Sequence, residues 1–305
     1  MSEKKTFFVI INPVSGNGKG KNVWNSVKDK LSQHFNITSQ FTKHSNHDIQ
    51  ITHDALNKGF RNFIIIGGDG TLNKFINGVF SQNTINPNQI SFGVLAVGTG
   101  NDWIKTYKIP KNIHHAVQAI INGNTQTQDV GCLTFSDLNN SKTYFLNLCG
   151  IGFDGLVVDL VKNDRSFGKL TYIFGALKAL FNFTYFDTKV TLDSETKMHK
   201  NCIIIQLGIC RYTGSGMQLT KQPDPNDGLL DVSIATNFTK WQIAKNLIGL
   251  FTGSILKHKN ITTLKTKHII LEFNAKKPLI QADGESMPTS NIKASILPQA
   301  IKFYL

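Results

Sequence analysis

Three glycine-rich turns follow three apolar runs within the first hundred or so residues. Asn12-Pro13-Val14-Ser15-Gly16-Asn17-Gly18-Lys19-Gly20 succeeds the run 7–11, Gly67-Gly68-Asp69-Gly70-Thr71-Leu72-Asn73 succeeds 63–66, and Gly98-Thr99-Gly100-Asn101-Asp102 succeeds 92–97. Glycines let backbone N–H groups approach an anion where side chains would block them. A helix starting there adds unpaired amides and the positive end of its dipole. Asp69 is a hard ligand for magnesium, directly or through water, and Thr71 offers a hydroxyl to a phosphate oxygen. Neither of the first two loops is a Walker A loop or has the G-x-G-x-x-G spacing of a dinucleotide fold. Any strand-to-helix connection needs a tight turn, so each turn alone says little. Three at strand ends on one edge of a sheet would line a single crevice.

The elements that must position these turns are legible from periodicity. Runs 7–11, 35–41, 63–66 and 92–97 read as strands, and 21–34, 48–58 and 72–80 as helices. Strands that are apolar on both faces and alternate with helices imply a parallel sheet covered by helices. Beyond Gly123 the β-like runs 142–148, 188–192, 201–208, 229–235 and 268–273 dominate, separated by turn-forming residues. Two helical stretches interrupt them. Leu170, Ile173, Phe174, Leu177, Leu180 and Phe181 share one face, as do Trp241, Ala244, Ile248, Phe251 and Ile255, which predicts core packing. The neighbouring Lys169, Lys178, Lys257 and Lys259 give the same stretches the composition of an interfacial helix.

With 305 residues the chain is long enough for two cores and a cleft between them. Hydrophobic residues at 40% against 17% charged exclude a disordered chain. The net charge of +13 favours an anionic partner, whether nucleotide, nucleic acid or acidic lipid. No zinc-finger or RNP-type motif supports specific nucleic-acid binding. Cys132, Cys149, Cys202 and Cys210 form no C-x-x-C pair and no disulfide framework, which fits a reducing cytoplasm. No secretory signal is indicated, and the longest apolar-rich stretch, 170–186, falls short of a bilayer span. The expectation is a cytoplasmic protein associated peripherally with membrane. Oligomeric state is open to the sequence, a homodimer included. His44 with His47, and His114 with His115, lack a third ligand and are assigned no role.

Taken together, the motifs resemble the diacylglycerol kinase catalytic-domain family, in particular its bacterial soluble lipid kinases, with sphingosine and ceramide kinases more distant. Asn12 to Gly16 matches its Asn-Pro-x-Ser-Gly loop, Gly67 to Asn73 its Gly-Gly-Asp-Gly-Thr-x-Asn signature, and Gly98 to Asp102 its Gly-Thr-x-Asn-Asp turn, with Trp103 where phenylalanine is usual. Gly150-Ile151-Gly152-Phe153-Asp154, Asp227-Gly228-Leu229-Leu230-Asp231 and Asp283-Gly284-Glu285 look like its later motifs, in the same order. Gly-Gly-Asp-Gly alone also resembles NAD kinases and phosphofructokinases.

The resemblance implies an α/β N-terminal domain with a parallel, NAD-kinase/phosphofructokinase-like sheet and a β-sandwich-like C-terminal domain. Residues 1–130 would bind nucleotide, with 291–305 returning to them, and 131–290 would form the lipid-substrate domain. It implies ATP contacts from Asn12, Pro13, Val14, Ser15, Gly16, Thr42, Gly67, Gly68, Asp69, Gly70, Thr71, Leu72, Asn73 and Thr99, to which the third turn adds Asn101 and Asp102. Glu285 would be the base that takes the substrate hydroxyl's proton. Asp224, Asp227 and Leu229 would hold a structural Mg²⁺, the first and last through backbone carbonyls. The activity implied is transfer of phosphate from ATP to a lipid hydroxyl, diacylglycerol or a relative, beside anionic phospholipid. The competing readings are an NAD kinase-like enzyme and a catalytically silent lipid-binding regulator.

Overall fold

In the computed structural model, residues 4–98, 100–161, 169–192, 195–274 and 277–305 are described. The chain divides into two compact units, one of residues 1–128 with 299–305, the other of 129–298. Thr99 and part of the stretch 170–186, namely the side chains before Phe174, lie outside the described residues.

The first unit runs β1 (Thr6–Ile11), a short turn α1 (Ser15–Gly18), α2 (Gly20–His34), β2 (Asn36–Phe41), α3 (His47–Asn57), β3 (Asn62–Gly67), α4 (Asp69–Ser81), β4 (Ser91–Ala96), α5 (Asp102–Thr106) and α6 (Ile113–Asn122). Strands β2, β1, β3 and β4 lie side by side in that order, all parallel. Their register aligns the C-terminal ends, with Ile11 opposite Phe41 and Ile66, and Gly67 opposite Ala96. β1, β3 and β4 are nearly all apolar because helices cover both faces, whereas the edge strand β2 is largely polar and partly exposed. Val27 and Leu31, one helical turn apart, bury the inner side of α2 against Phe7, Val9 and Ile64. Trp103 is fully buried among Phe92, Tyr107 and Phe303, and its indole N–H donates to Gln128 Oε1 at 2.7 Å. The two histidine pairs are structural. The His44 and His47 rings stack at 4.7 Å in the turn before α3, and Asn112 caps α6 through the amides of His114 and His115.

A long strand β5 (Thr125–Phe135) leads into the second unit, which holds β6 (Ser141–Phe145), β7 (Leu148–Gly152), α7 (Phe153–Val161), α8 (Lys169–Asn182), β8 (Phe186–Leu192), β9 (Glu195–Gly208), β10 (Leu230–Thr236), α9 (Lys240–Lys245), α10 (Gly249–Thr252), β11 (Ile261–Thr266), β12 (His268–Phe273), β13 (Ile280–Ala282), β14 (Glu285–Met287) and β15 (Ile292–Tyr304). Pairing among these strands is antiparallel. β9 is shared: its first half pairs with β8, its second with β7 and β10. Inward residues such as Ile151, Ile205, Leu207, Val232, Leu271 and Ile280 form one buried core.

Three expectations are corrected here. The C-terminal return to the first unit begins at Gln299, not 291, because His268–Leu271 of β12 pair with residues 292–295 of β15, while Lys302 and Phe303 run parallel to β4. The run 142–148 is two strands, because the amides of Leu146, Asn147 and Leu148 turn aside to the Asp283 carboxylate. The stretch from Trp241 to Ile255 is not one helix. It breaks into α9, α10 and a 3-10 turn, with Gly253 at φ 71°. Core packing holds for Leu180 and Ile255, whereas Phe174, Phe181, Trp241 and Ile248 are exposed.

Candidate active site

The first unit brings the three glycine turns together. Asn12 binds the first loop to the second, its side-chain N–H donating to Thr71 Oγ1 at 2.9 Å and its backbone N–H to Ile66 O. Its Oδ1 accepts from the Val14 amide, which shapes the loop itself. The second loop meets the third through Val97 N–H, which donates to Gly67 O at 2.8 Å. A methyl on Gly98 would lie 3.2 Å from the Gly68 Cα, so the absence of side chains there permits the approach. A methyl on Gly16 would lie 3.0 Å from Val97 Cγ1, so the first and third loops also adjoin. Thr42, just past β2, is held by its amide to Ile11 O on the same edge.

Asp69 ties the second loop to α5. Its two oxygens accept from the amides of Asp102 (3.1 Å) and Trp103 (3.4 Å), two of the unpaired donors at that helix start. Asp102 in turn pairs with Lys105 at 2.5 Å, and Asn101, in the left-handed region at φ 49°, donates to Gly98 O. Asn101 and Asp102 therefore build the third turn. Leu72 and Asn73 are buried in α4, while Ser15, Gly68, Asp69 and Gly70 keep part of their surface open. Val14 is exposed.

In the second unit, Asp283 (φ 49°) and Gly284 (φ 81°) make the two-residue turn between β13 and β14, both in the left-handed region that a type I′ hairpin requires. The Asp283 carboxylate accepts from Leu146, Asn147 and Leu148 at 2.7, 2.8 and 3.1 Å. Glu285 follows directly, half-buried at the start of β14.

The loop from Asp224 to Leu229 is rigid through its own bonds: Asp224 Oδ1 accepts from Asn226 N, Asp227 Oδ1 from Leu229 N, and Asp129 Oδ2 from Gly228 N. Among the described residues no three side chains converge as metal ligands. Lys265 instead bonds Asp227 at 2.6 Å and lies 3.4 Å from Asp231. Burial, with the charges of Asp227 and Asp224 nearby and against the pull of Lys265, pushes Asp231 up to about 6. Oxygen donors with more negative charge than one lysine balances suit a hard divalent cation, provided backbone carbonyls complete its shell.

A cavity wholly within the second unit, about 100 Å³ and partly open to solvent, is lined by residues to which sequence reasoning gave no site role. Its walls are apolar, with Val157, Leu219, Phe238, Ile243, Leu250 and Ile255 among them, yet Asp154, Gln206, Ser233 and Asn246 also face it. Burial pushes the Asp154 carboxyl up, against hydrogen bonds from Gln281, at 2.6 Å, and from Gln206. Ser233 Oγ meets hydrogen-bond geometry with no group among the described residues, although the residue is at least 95% buried. Leaving such a group unpaired costs about 1–3 kcal/mol. Gln206 had a signal, as a lone amide in the run Ile203-Ile204-Ile205-Gln206-Leu207; its register opposite Ser233 had none.

Residues 6–133 match the diacylglycerol kinase catalytic domain, and residues 147–305 match the YegS C-terminal NAD kinase beta sandwich-like domain. A Staphylococcus aureus (strain JH9) protein named as a lipid kinase is 35% identical over 247 residues, covering 78% of this chain and 75% of its own. A Mycobacterium tuberculosis diacylglycerol kinase is 23% identical over 296 residues, covering 96% and 93%. The fold matches a crystal structure titled as a diacylglycerol kinase from Bacillus anthracis str. Sterne, with a TM-score of 0.75 at 20% identity over 100% and 98% of the two chains. With three glycine turns assembled at the strand ends of one sheet and both domains matched in order, the chain belongs to the diacylglycerol kinase catalytic-domain family and is a lipid kinase.

Proposed function

We propose that the protein transfers the γ-phosphate of ATP to the hydroxyl of a diacylglycerol-like lipid. The observation that carries the ATP half is the meeting of three glycine turns at the aligned ends of β1, β3 and β4. Their backbone N–H groups would hold the phosphates and neutralise charge that develops during transfer, where positioning and electrostatics supply most of the catalysis. Glu285 would accept the hydroxyl proton. Mg²⁺ supplies phosphate charge neutralisation when bound near Asp69, and a second ion at Asp224, Asp227 and Leu229 would replace Lys265 as the counter-charge. Neither an NAD kinase-like enzyme nor a silent regulator is favoured by the relatives.

The lipid half rests on the apolar cavity and on the outer faces of the helices beside it. Phe174, Leu177 and Phe181 of α8, Trp241 of α9 and Ile248 just before α10 are exposed, next to exposed Lys178, Lys240 and Lys245. Apolar side chains with a basic surround suit the interface of an anionic bilayer. Among the described residues no helix is long and apolar enough to cross a membrane. The test is label transfer from γ-labelled ATP to vesicles of phosphatidylglycerol or phosphatidylcholine carrying diacylglycerol. Label should reach the organic-extractable product, faster on the anionic vesicles. Label found only in the aqueous phase would refute the reading.

The second metal position predicts a pH effect. Asp231 is raised above its unfolded value, so the native state binds the extra proton between pH ~4 and ~6 and stability falls as pH rises through that window. Mg²⁺ should therefore raise Tm by several degrees at pH 7.5 and much less at pH 5. Equal or absent shifts in calorimetry would remove the ion from this loop.

A further inference from the structure

We propose that Gln281 and Asp154 are positioning residues for phosphate transfer, which hold from behind the turn that carries Glu285. Gln281 grips the Gly284 amide, and Asp154 fixes which end of the Gln281 side chain faces that amide. The inference deepens the lipid-kinase reading and rests on it for the role of Glu285 as the base.

A two-residue hairpin turn leaves the amides of its two turn residues outside the strand ladder. Between β13 and β14 both are taken up by other protein groups. The Asp283 amide donates to Leu148 O at 3.0 Å, and the Gly284 amide to Gln281 Oε1 at 2.8 Å. The Asp283 carboxylate adds its bonds to the amides of 146–148. A turn that only reversed the chain would need none of these side-chain ties, and they suit a turn whose next residue must be held in one place. Gln281 lies opposite Ser286, while Ala282 lies opposite Glu285, so Gln281 and Glu285 point to opposite faces of the hairpin. Gln281 therefore acts on Glu285 through the backbone.

The start of α7 supplies the partner behind the hairpin. Asp154, in the first turn of that helix, accepts from Gln281 Nε2 at 2.6 Å and from Gln206. An amide side chain has a donor end and an acceptor end, and its neighbours decide which way it turns. A carboxylate takes only the donor end, and the helix start favours that ionised form. Asp154 thus turns Gln281 Oε1 towards Gly284. Two glycines let α7 come close enough: a methyl on Gly150 would overlap the Asp154 carboxyl, and one on Gly155 would overlap the Leu279 carbonyl just before β13. Asp154 and Gln281 are both buried, where a polar group is costly unless its partners are in place.

The test is a double-mutant cycle of Gln281→Leu with Glu285→Gln, read by kcat, by KM for ATP and for diacylglycerol in vesicles, and by Tm. Gln281→Leu should lower kcat about thirtyfold, within the ~10²-fold that a misplacement of ~1 Å can cost, and leave both KM values within about threefold. In the Glu285→Gln background the same change should cost less than about threefold, because no base is left to place. A second pair tests Asp154. Gln281→Glu sets two carboxyls against each other and should lower kcat about tenfold; adding Asp154→Asn restores a donor opposite an acceptor and should bring kcat back to within about threefold of wild type. Should Gln281→Leu fail to fold, this rescue carries the test, and its absence in folded proteins would overturn the proposal. Equal losses from Gln281→Leu in both backgrounds, or an unaltered kcat, would overturn the positioning role and leave the kinase reading intact. Wild-type turnover in Glu285→Gln would overturn the base and its positioning together. A wild type that transfers no phosphate to any lipid would overturn the kinase reading and the proposal with it.

Discussion

Glu285→Gln should lower kcat about 10²- to 10⁴-fold while leaving the protein folded. The substitution keeps the side chain's shape and removes its charge and its capacity to take a proton. The backbone beneath it is fixed independently, by the Asp283 carboxylate on three amides and by the Gly284 amide on Gln281. A half-buried, nearly isosteric change at the start of β14 should leave Tm within a degree or two. KM for ATP should stay near the wild-type value, because the phosphate-holding turns are untouched. Steady-state kinetics with a thermal melt checks this; wild-type turnover in a folded variant would remove Glu285 from the chemistry.

Asp69→Asn should have the second largest effect, of a different kind. The Asp69 carboxylate is the acceptor for two amides at the start of α5 and, in the proposed reading, the hard ligand that the second loop offers to Mg²⁺. The amide keeps one acceptor and points N–H₂ at the other backbone N–H, so a donor faces a donor. Stability should fall by about 1–3 kcal/mol. Turnover should fall at least a hundredfold, through lost charge neutralisation and a third turn that is no longer held. ATP affinity measured by calorimetry should weaken along with kcat, in contrast to Glu285→Gln. Unchanged ATP affinity would mean that the carboxylate serves only the fold.

The nucleotide loops were legible because their chemistry is local. Gly-Gly-Asp-Gly after an apolar run, or Asn-Pro-x-Ser-Gly after another, states a strand end, a turn and a helix start within a few residues, and β1, β3 and β4 with α2 and α4 lie where periodicity places them. The hairpin turn at Asp283-Gly284 was legible for the same reason. Helix faces were less so, since Phe174, Phe181 and Trp241 repeat with the period of a core face while facing outwards. Periodicity reports that a face is apolar, not what covers it. The pairing of Gln206 with Ser233 and Gly150 was not legible because strand register alone brings them together, and β13 joins β7 from far along the chain. β5 was missed because its first part, Thr125–Gln128, is polar, and β15, which bears Pro298, was expected only as the returning C-terminal segment.

The central claim is that the turns after β1, β3 and β4 act as one grip on a triphosphate. Hydrogen exchange with and without a non-hydrolysable ATP analogue and Mg²⁺ tests it most directly. Amides in 12–20, 67–73 and 97–102 should slow together on binding, with the same dependence on nucleotide concentration. Protection confined to one of these segments, or found in none of them, would contradict the claim.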